Sequence, residues 1–138
     1  MSQFVVADIR IENLDTLKEV LESIGFEGKI EIHDTPQKLV GYMGDERRQD
    51  AEVIVRRQNL QGSSNDLGFR WNEKKGCYDM IVSDYDTRVG HAVKQAHALH
   101  RLKSFAKNNR RRLTIDEGQL PKIQGRGVET QKIKIVIQ

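Results

Sequence analysis

The sequence predicts a single α+β domain over residues 1–138, with a mostly antiparallel sheet and two helices on one face. The arrangement expected is ferredoxin-like with an inserted hairpin. Three observations lead there. Short apolar-alternating runs recur along the chain, as in "FVVADIRI", "AEVIVRR" and "KIKIVI". Two longer stretches instead carry apolar residues at helical spacing. The order strand, helix, several strands, helix, strand gives every element one apolar face, and a two-layer packing buries them all.

The elements follow in order. "FVVADIRI" places Val5, Ala7, Ile9 and Ile11 on one face, a strand period. In "NLDTLKEVLESIG", Leu14, Leu17, Leu21 and Ile24 recur at helical spacing. Asn13 suits the N-cap, and Gly25 a left-handed C-terminal cap. The spacing predicts a helix over 14–24. "KIEIH" (29–33) alternates as a strand, and "DTPQK" reads as a break because Pro36 has no N–H for a ladder. "LVGYM" (39–43) reads as a short strand, "GDERRQD" as a charged turn or short helical turn, and "AEVIVRR" (51–57) as a strand.

"QNLQGSSND" is a polar loop. "LGFRW" and "CYDMIVS" flank "NEKKG", with Gly76 at the positive-φ position of a bulged hairpin turn. The longest helix follows, with Asp84, Asp86 and Thr87 as capping candidates and a stripe of Val89, Val93, Ala96, Leu99, Leu102 and Ala106. Residues 106–128 read as a basic loop. "KIKIVI" closes the chain as a strand with Ile133, Ile135 and Ile137 inward.

Composition narrows the function classes. Of the 138 residues, 37% are apolar and 31% charged, polar for a globular chain but too periodic for disorder. The single cysteine, Cys77, excludes an internal disulfide and a cysteine-based zinc site. Nothing near the N-terminus resembles a signal peptide, and no apolar run approaches the roughly 20 residues of a membrane span. A soluble, reducing compartment, the cytoplasm, is expected. The net charge of +3 is uneven: residues 1–88 hold 12 Lys+Arg against 17 Asp+Glu, and residues 89–138 hold 11 against 3. A basic C-terminal part suits an anionic partner, or else neutralises the acidic part within the fold.

The chemical motifs are sparse. Neither GxxxxGK[ST] nor GxGxxG occurs, no Gly-x-Ser-x-Gly elbow occurs, and Cys77 has no evident partner base. No cofactor and no catalytic residue is expected. His97 and His100 sit three apart on the long helix, yet a metal site would need a further ligand from His33, Asp84 or Asp86. Asp84 and Asp86 read as helix-capping carboxylates before they read as an acid–base pair. Lys103, Lys107, Arg110, Arg111, Arg112, Lys122 and Arg126 form a basic set that could track nucleic-acid phosphates, although Phe105 is the one aromatic near them. Arg56 and Arg57, neighbours at the end of a strand, should point to opposite faces. One would reach Asp45, Glu46 or Asp50, and the other would stay free.

The blocks "HDTPQKLVGYMGDERRQDAEVIVRR", "SSNDLGF" and "SDYD" resemble the hypothetical chloroplast reading frame thirty-five family, a domain of unknown function with plastid, cyanobacterial, bacterial and phage members. The resemblance covers about residues 1–105. It implies no established activity. It does imply an accessory role, since some members are encoded beside an ATPase of the AAA class. It also carries a location: the stroma for a plastid-encoded chain, the host cytoplasm for a phage-encoded one. Among the matched positions, Arg47, Gln49, Arg56, Arg57, Asn65, Asp66, Asp84 and Tyr85 are the candidate partner-binding residues. The expectation is a non-enzymatic binding or adaptor module that engages a protein, with a nucleic-acid-binding protein using the basic C-terminal third as the alternative. A homo-oligomer formed through an exposed sheet edge is compatible with either.

Overall fold

Residues 3–60, 64–108, 113–115 and 135–137 are described by the computed structural model. Five strands form one antiparallel sheet: β1 (Phe4–Ile11), β2 (Ile30–Val40), β3 (Glu46–Val55), β4 (Leu67–Asn72) and β5 (Cys77–Ser83), in the spatial order β1-β5-β4-β3-β2. Helices α1 (Leu14–Leu21) and α2 (Thr87–Asn108) cover one face. The α+β class read from the sequence is the observed one. In a ferredoxin-like order the last strand would border β1. Here β7 (Ile135–Ile137) pairs with β6 (Leu113–Ile115) in a separate two-stranded ribbon.

The core lies between helices and sheet. Ile9, Ile11, Val53, Val55, Leu67, Phe69, Met80 and Val82 supply the sheet side. Leu17, Val20, Leu21 and Ile24 of the first helical segment and Val89, Val93 and Ala96 of α2 supply the other. Each large side chain buried in this way contributes roughly 1.5–3 kcal/mol. Asn13 caps α1 by accepting the Thr16 N–H at 2.8 Å. The helix runs on into a π-type turn, Glu22–Phe26, in which Gly25 takes φ +106, the left-handed geometry expected of a terminating glycine. Cys77 is buried with a free thiol. The Trp71 and Tyr78 rings meet edge-to-face, 5.1 Å apart.

Several boundaries differ from the sequence reading. Strand β2 continues through Pro36 instead of breaking there. Its register jumps between Ile32↔Val53 and Gln37↔Ala51, so the irregular stretch holds Pro36 on an edge strand, where no ladder N–H is required. The charged "GDERRQD" is not a turn in its full length. Gly41–Asp45 makes the turn, closed by Gly41 N–H to the Asp45 carbonyl at 2.7 Å, and Glu46 already begins β3. Helix α2 reaches Asn108, into the stretch read as loop, and Leu113–Ile115 is a strand. The rest of the expected basic loop and Ile133 lie outside the described residues.

The jump in β2 has a consequence for shape. On the sheet face away from the helices, Leu39, Ala51, Ile54 and Ile81 form a second buried cluster, with Phe4 packed against it. Leu39 and Ala51 belong to the distal half of the β2–β3 hairpin, which folds back over that face. Gly68 makes room for it: a Cβ there would lie 2.9 Å from the Ala51 Cβ and 3.0 Å from both Leu39 methyls.

Candidate functional site

The folded-back hairpin brings its tip to the sheet end that already holds the start of β1, the end of β3, the start of β4 and the end of β5. Asp66 is the centre of this end. It is 1% exposed. Its Oδ2 accepts the Val40 N–H at 2.8 Å and an Arg56 guanidinium N–H at 2.9 Å, and its Oδ1 accepts the Arg57 N–H at 2.8 Å. The Asp66 N–H in turn donates to the Val40 carbonyl at 3.0 Å. One carboxylate therefore joins β2, the end of β3 and the start of β4. A buried carboxylate is tolerated because each oxygen is met by donors, one of them cationic.

Arg56 extends the hub. Its Nε donates to Glu31 Oε2 at 2.9 Å, and the second Glu31 oxygen is 2.9 Å from His33 Nε2. The hydrogen bond from Arg56 holds the Glu31 carboxyl below its ordinary pKa, with His33 adding to the effect and burial opposing it. The same pairing with Glu31, and then with Asp66, raises Arg56.

Asn65 carries the network to the helix. It is 2% exposed, and its Oδ1 accepts the Tyr42 N–H at 2.9 Å. Its own N–H donates to Asp86 Oδ2 at 3.2 Å. Asp86 thus spends its side chain on the loop, while its carbonyl receives the Val89 and Gly90 N–H groups that open α2. Asp84 ties down the chain start: its carboxylate accepts the Gln3 N–H at 2.9 Å and its N–H donates to the Gln3 carbonyl at 2.8 Å.

The arginines part from the expectation in detail. Arg56 reaches Glu31 and Asp66, not Asp45, Glu46 or Asp50. Two of those acids have other partners: Asp45 pairs with Arg47 at 2.8 Å, and Asp50 pairs with Arg70. Arg57 is not left free, since its guanidinium donates to the Tyr42 carbonyl at 2.7 Å. The chain leaves the strand at Val55, so Arg56 and Arg57 do not follow strand alternation. Arg47 also lies over the Phe4 ring, 5.9 Å from its centroid.

Arg47, Arg56, Arg57, Asn65, Asp66, Asp84 and Tyr85 accordingly share one end of the molecule. Gln49 lies apart, half-buried midway along β3. Almost every charge in this set is used to hold backbone or another charge, and no nucleophile is paired with a base. Over this frame three large side chains point outward: Met43 is 76% exposed, Tyr85 73% and Tyr42 38%. Tyr42 and Met43 sit between Gly41 and Gly44 in a tight turn, where the sequence reading placed a short strand over 39–43; the strand ends at Val40 because the two glycines of "GYMG" turn the chain. Glu31 and Asp86 were missed as members of the hub because their partners come from distant segments.

The histidines do not join the aspartates. Asp86 and His97 are eleven residues apart along α2, about 16 Å at the helical rise, which sets His97 and His100 apart from Asp84 and Asp86. His97 bonds toward the Ile9 backbone and His100 lies 2.7 Å from Glu19. His33 is spent on Glu31. Among the described residues no group of three or more His, Cys, Asp or Glu side chains is arranged to hold a metal, and no helix is long and apolar enough to cross a membrane. Lys103 and Lys107 are exposed on α2. Arg110, Arg111, Arg112, Lys122 and Arg126 lie outside the described residues.

A family model described as a protein of unknown function, DUF1257, matches residues 21–119. No curated protein and no solved structure matches the chain.

Proposed function

Since the chain belongs to the DUF1257 family of proteins of unknown function, we propose from its own geometry that it is a non-catalytic binding module. It engages a protein partner through the hairpin tip and the β5–α2 turn. The observation that carries this reading is an exposed Tyr42, Met43 and Tyr85 mounted on backbone locked by buried Asn65, Asp66 and Asp86. Aromatic side chains held on a rigid frame lose little entropy on docking, and they are typical interface anchors. Arg47, Arg57 and Asp84 stand around them as the charged rim, where they set register more than affinity.

The partner proposed is an ATPase of the AAA class, following the accessory role that the resemblance to the plastid reading-frame family implies. The test is binding of the full-length chain to that ATPase by calorimetry, beside a Tyr42→Ser, Tyr85→Ser double variant. Both positions are exposed, so the variant should keep its melting temperature. It should lose about 2 kcal/mol or more of binding energy. Unchanged affinity in a folded double variant would sink the assignment of this surface.

A further inference from the structure

A second feature lies at the far end of β1, about 20 Å from Phe4 at the rise of a strand. An open groove of about 1000 Å³ is lined by Arg10, Glu12, Asn13 and Thr16 on one side and by His97, His100, Arg101, Leu102 and Phe105 of α2 on the other. Its size is at the upper end of the range for small-molecule sites.

The groove has an unusual wall. Arg10 is the one non-glycine residue with positive φ among the described residues, at +52. It sits where the β1–β5 register shifts between Asp8 and Ile11. A bulge of this kind re-aims a side chain, and a left-handed arginine persists only where its surroundings impose it. Across the groove, His97 bonds toward the Ile9 backbone, and burial, followed by the charges of Arg101 and His100, holds its imidazole below its ordinary pKa. Arg10 and Arg101 thus line the groove together with the half-buried His97. Of the carboxylates nearby, Glu19 pairs with His100 at 2.7 Å and Asp8 accepts a hydrogen bond from the 81% exposed Arg10 side chain at 3.4 Å, so a phosphate must displace Asp8 there, and Glu12 is the acid on the lining. Beside the cations, Leu102 is half-buried and Phe105 is 49% exposed, an apolar wall.

We propose that this groove binds a small phosphate monoester. The phosphoryl group lies between Arg10 and Arg101 and the organic part lies against Phe105. Arginine forks match phosphate oxygens in pairs, which favours phosphate over a lone carboxylate. An apolar wall beside the cations favours an organic phosphate over the free ion. The site is independent of the docking surface and stands or falls alone.

The test is amide NMR of the full-length chain titrated with adenosine monophosphate, inorganic phosphate and adenosine. Adenosine monophosphate should give saturable shifts at Arg10, Thr16, His97 and Arg101, with adenosine at least about tenfold weaker. Arg101→Gln should weaken both phosphates about tenfold, and Phe105→Ala should weaken adenosine monophosphate alone. Arg10→Gly separates binding from folding: glycine accepts positive φ, so the variant should melt no lower than the parent while losing the phosphate. The bound dianion should also raise the His97 pKa, with Arg10, Arg101, Glu12, Glu19 and the titratable His100 around it. Absence of saturable shifts at about 10 mM ligand overturns the proposal. Equal affinity for adenosine, or full affinity in Arg10→Gly and Arg101→Gln, does the same. Displacement of adenosine monophosphate by a single-stranded oligonucleotide with wider shifts along α2 reassigns the cations to nucleic-acid phosphates and also overturns it.

Discussion

Asp66 shows how much one side chain can organise. Its two oxygens accept backbone N–H groups from Val40 and Arg57 and a guanidinium N–H from Arg56. Asp66→Asn keeps the shape but turns an acceptor into an NH₂ group that faces a donor. The loss of a buried, charge-assisted acceptor predicts a destabilisation of about 3 kcal/mol, read as a lower urea midpoint with unchanged slope. A loss under about 1 kcal/mol would show that the hub is dispensable. In the sequence, "SSND" announces only a turn, because Asn and Asp favour turns wherever they stand. The partner of Asp66 in β2 is 26 residues away, and no local pattern encodes that distance.

At the scale of elements, the β2–β3 hairpin is the feature that makes the site. Its strands are legible from alternation, but its fold-back is not. Leu39 and Ala51 pass directly over Gly68, which leaves no space for a Cβ. Gly68→Ala should therefore cost about 1–3 kcal/mol by overpacking, visible as a lower melting temperature. Removing the opposing methyls in a Gly68→Ala, Leu39→Ala double variant should cost less than the sum of the two single changes, since the residues share one space. Strict additivity would mean that the hairpin does not press on the sheet there. "DTPQK" looked like a break because Pro36 cannot join a ladder. An edge strand with an irregular register accommodates it, and whether a strand lies at an edge is a property of the sheet.

For the whole molecule, the ion pairs predict the response to acid. Arg56 holds the Glu31 carboxyl below its ordinary pKa in the folded state. At mildly acidic pH the unfolded chain then binds more protons than the folded one, so stability falls as pH falls. The contribution is complete above the ordinary carboxylate range and is lost through the lowered folded value. His97, held below its ordinary pKa mainly by burial, acts in the same direction at higher pH, starting below about 6.5. Urea midpoints measured from neutral to acidic pH should decline in both windows, and Glu31→Gln should flatten the lower one. The Glu31 side chain is 39% exposed, so its effect at neutral pH is no more than about 1 kcal/mol. A Glu31→Gln profile parallel to the parent's would remove this pair from the acid response.

What the residues determine alone is local: two amphipathic helices, the alternating strands, the Asn13 cap, the glycine turns and the α+β class. Backbone chirality and side-chain periodicity act over a few residues and are written directly in the order of amino acids. Tertiary structure decides the rest. It folds the hairpin over the second face, gathers Arg56, Asp66 and Glu31 into one hub, pins Asp84 to Gln3 across 81 residues and brings Arg10 and Arg101 to one groove. Those meetings depend on which strands lie side by side, and strand order follows from packing the entire core at once.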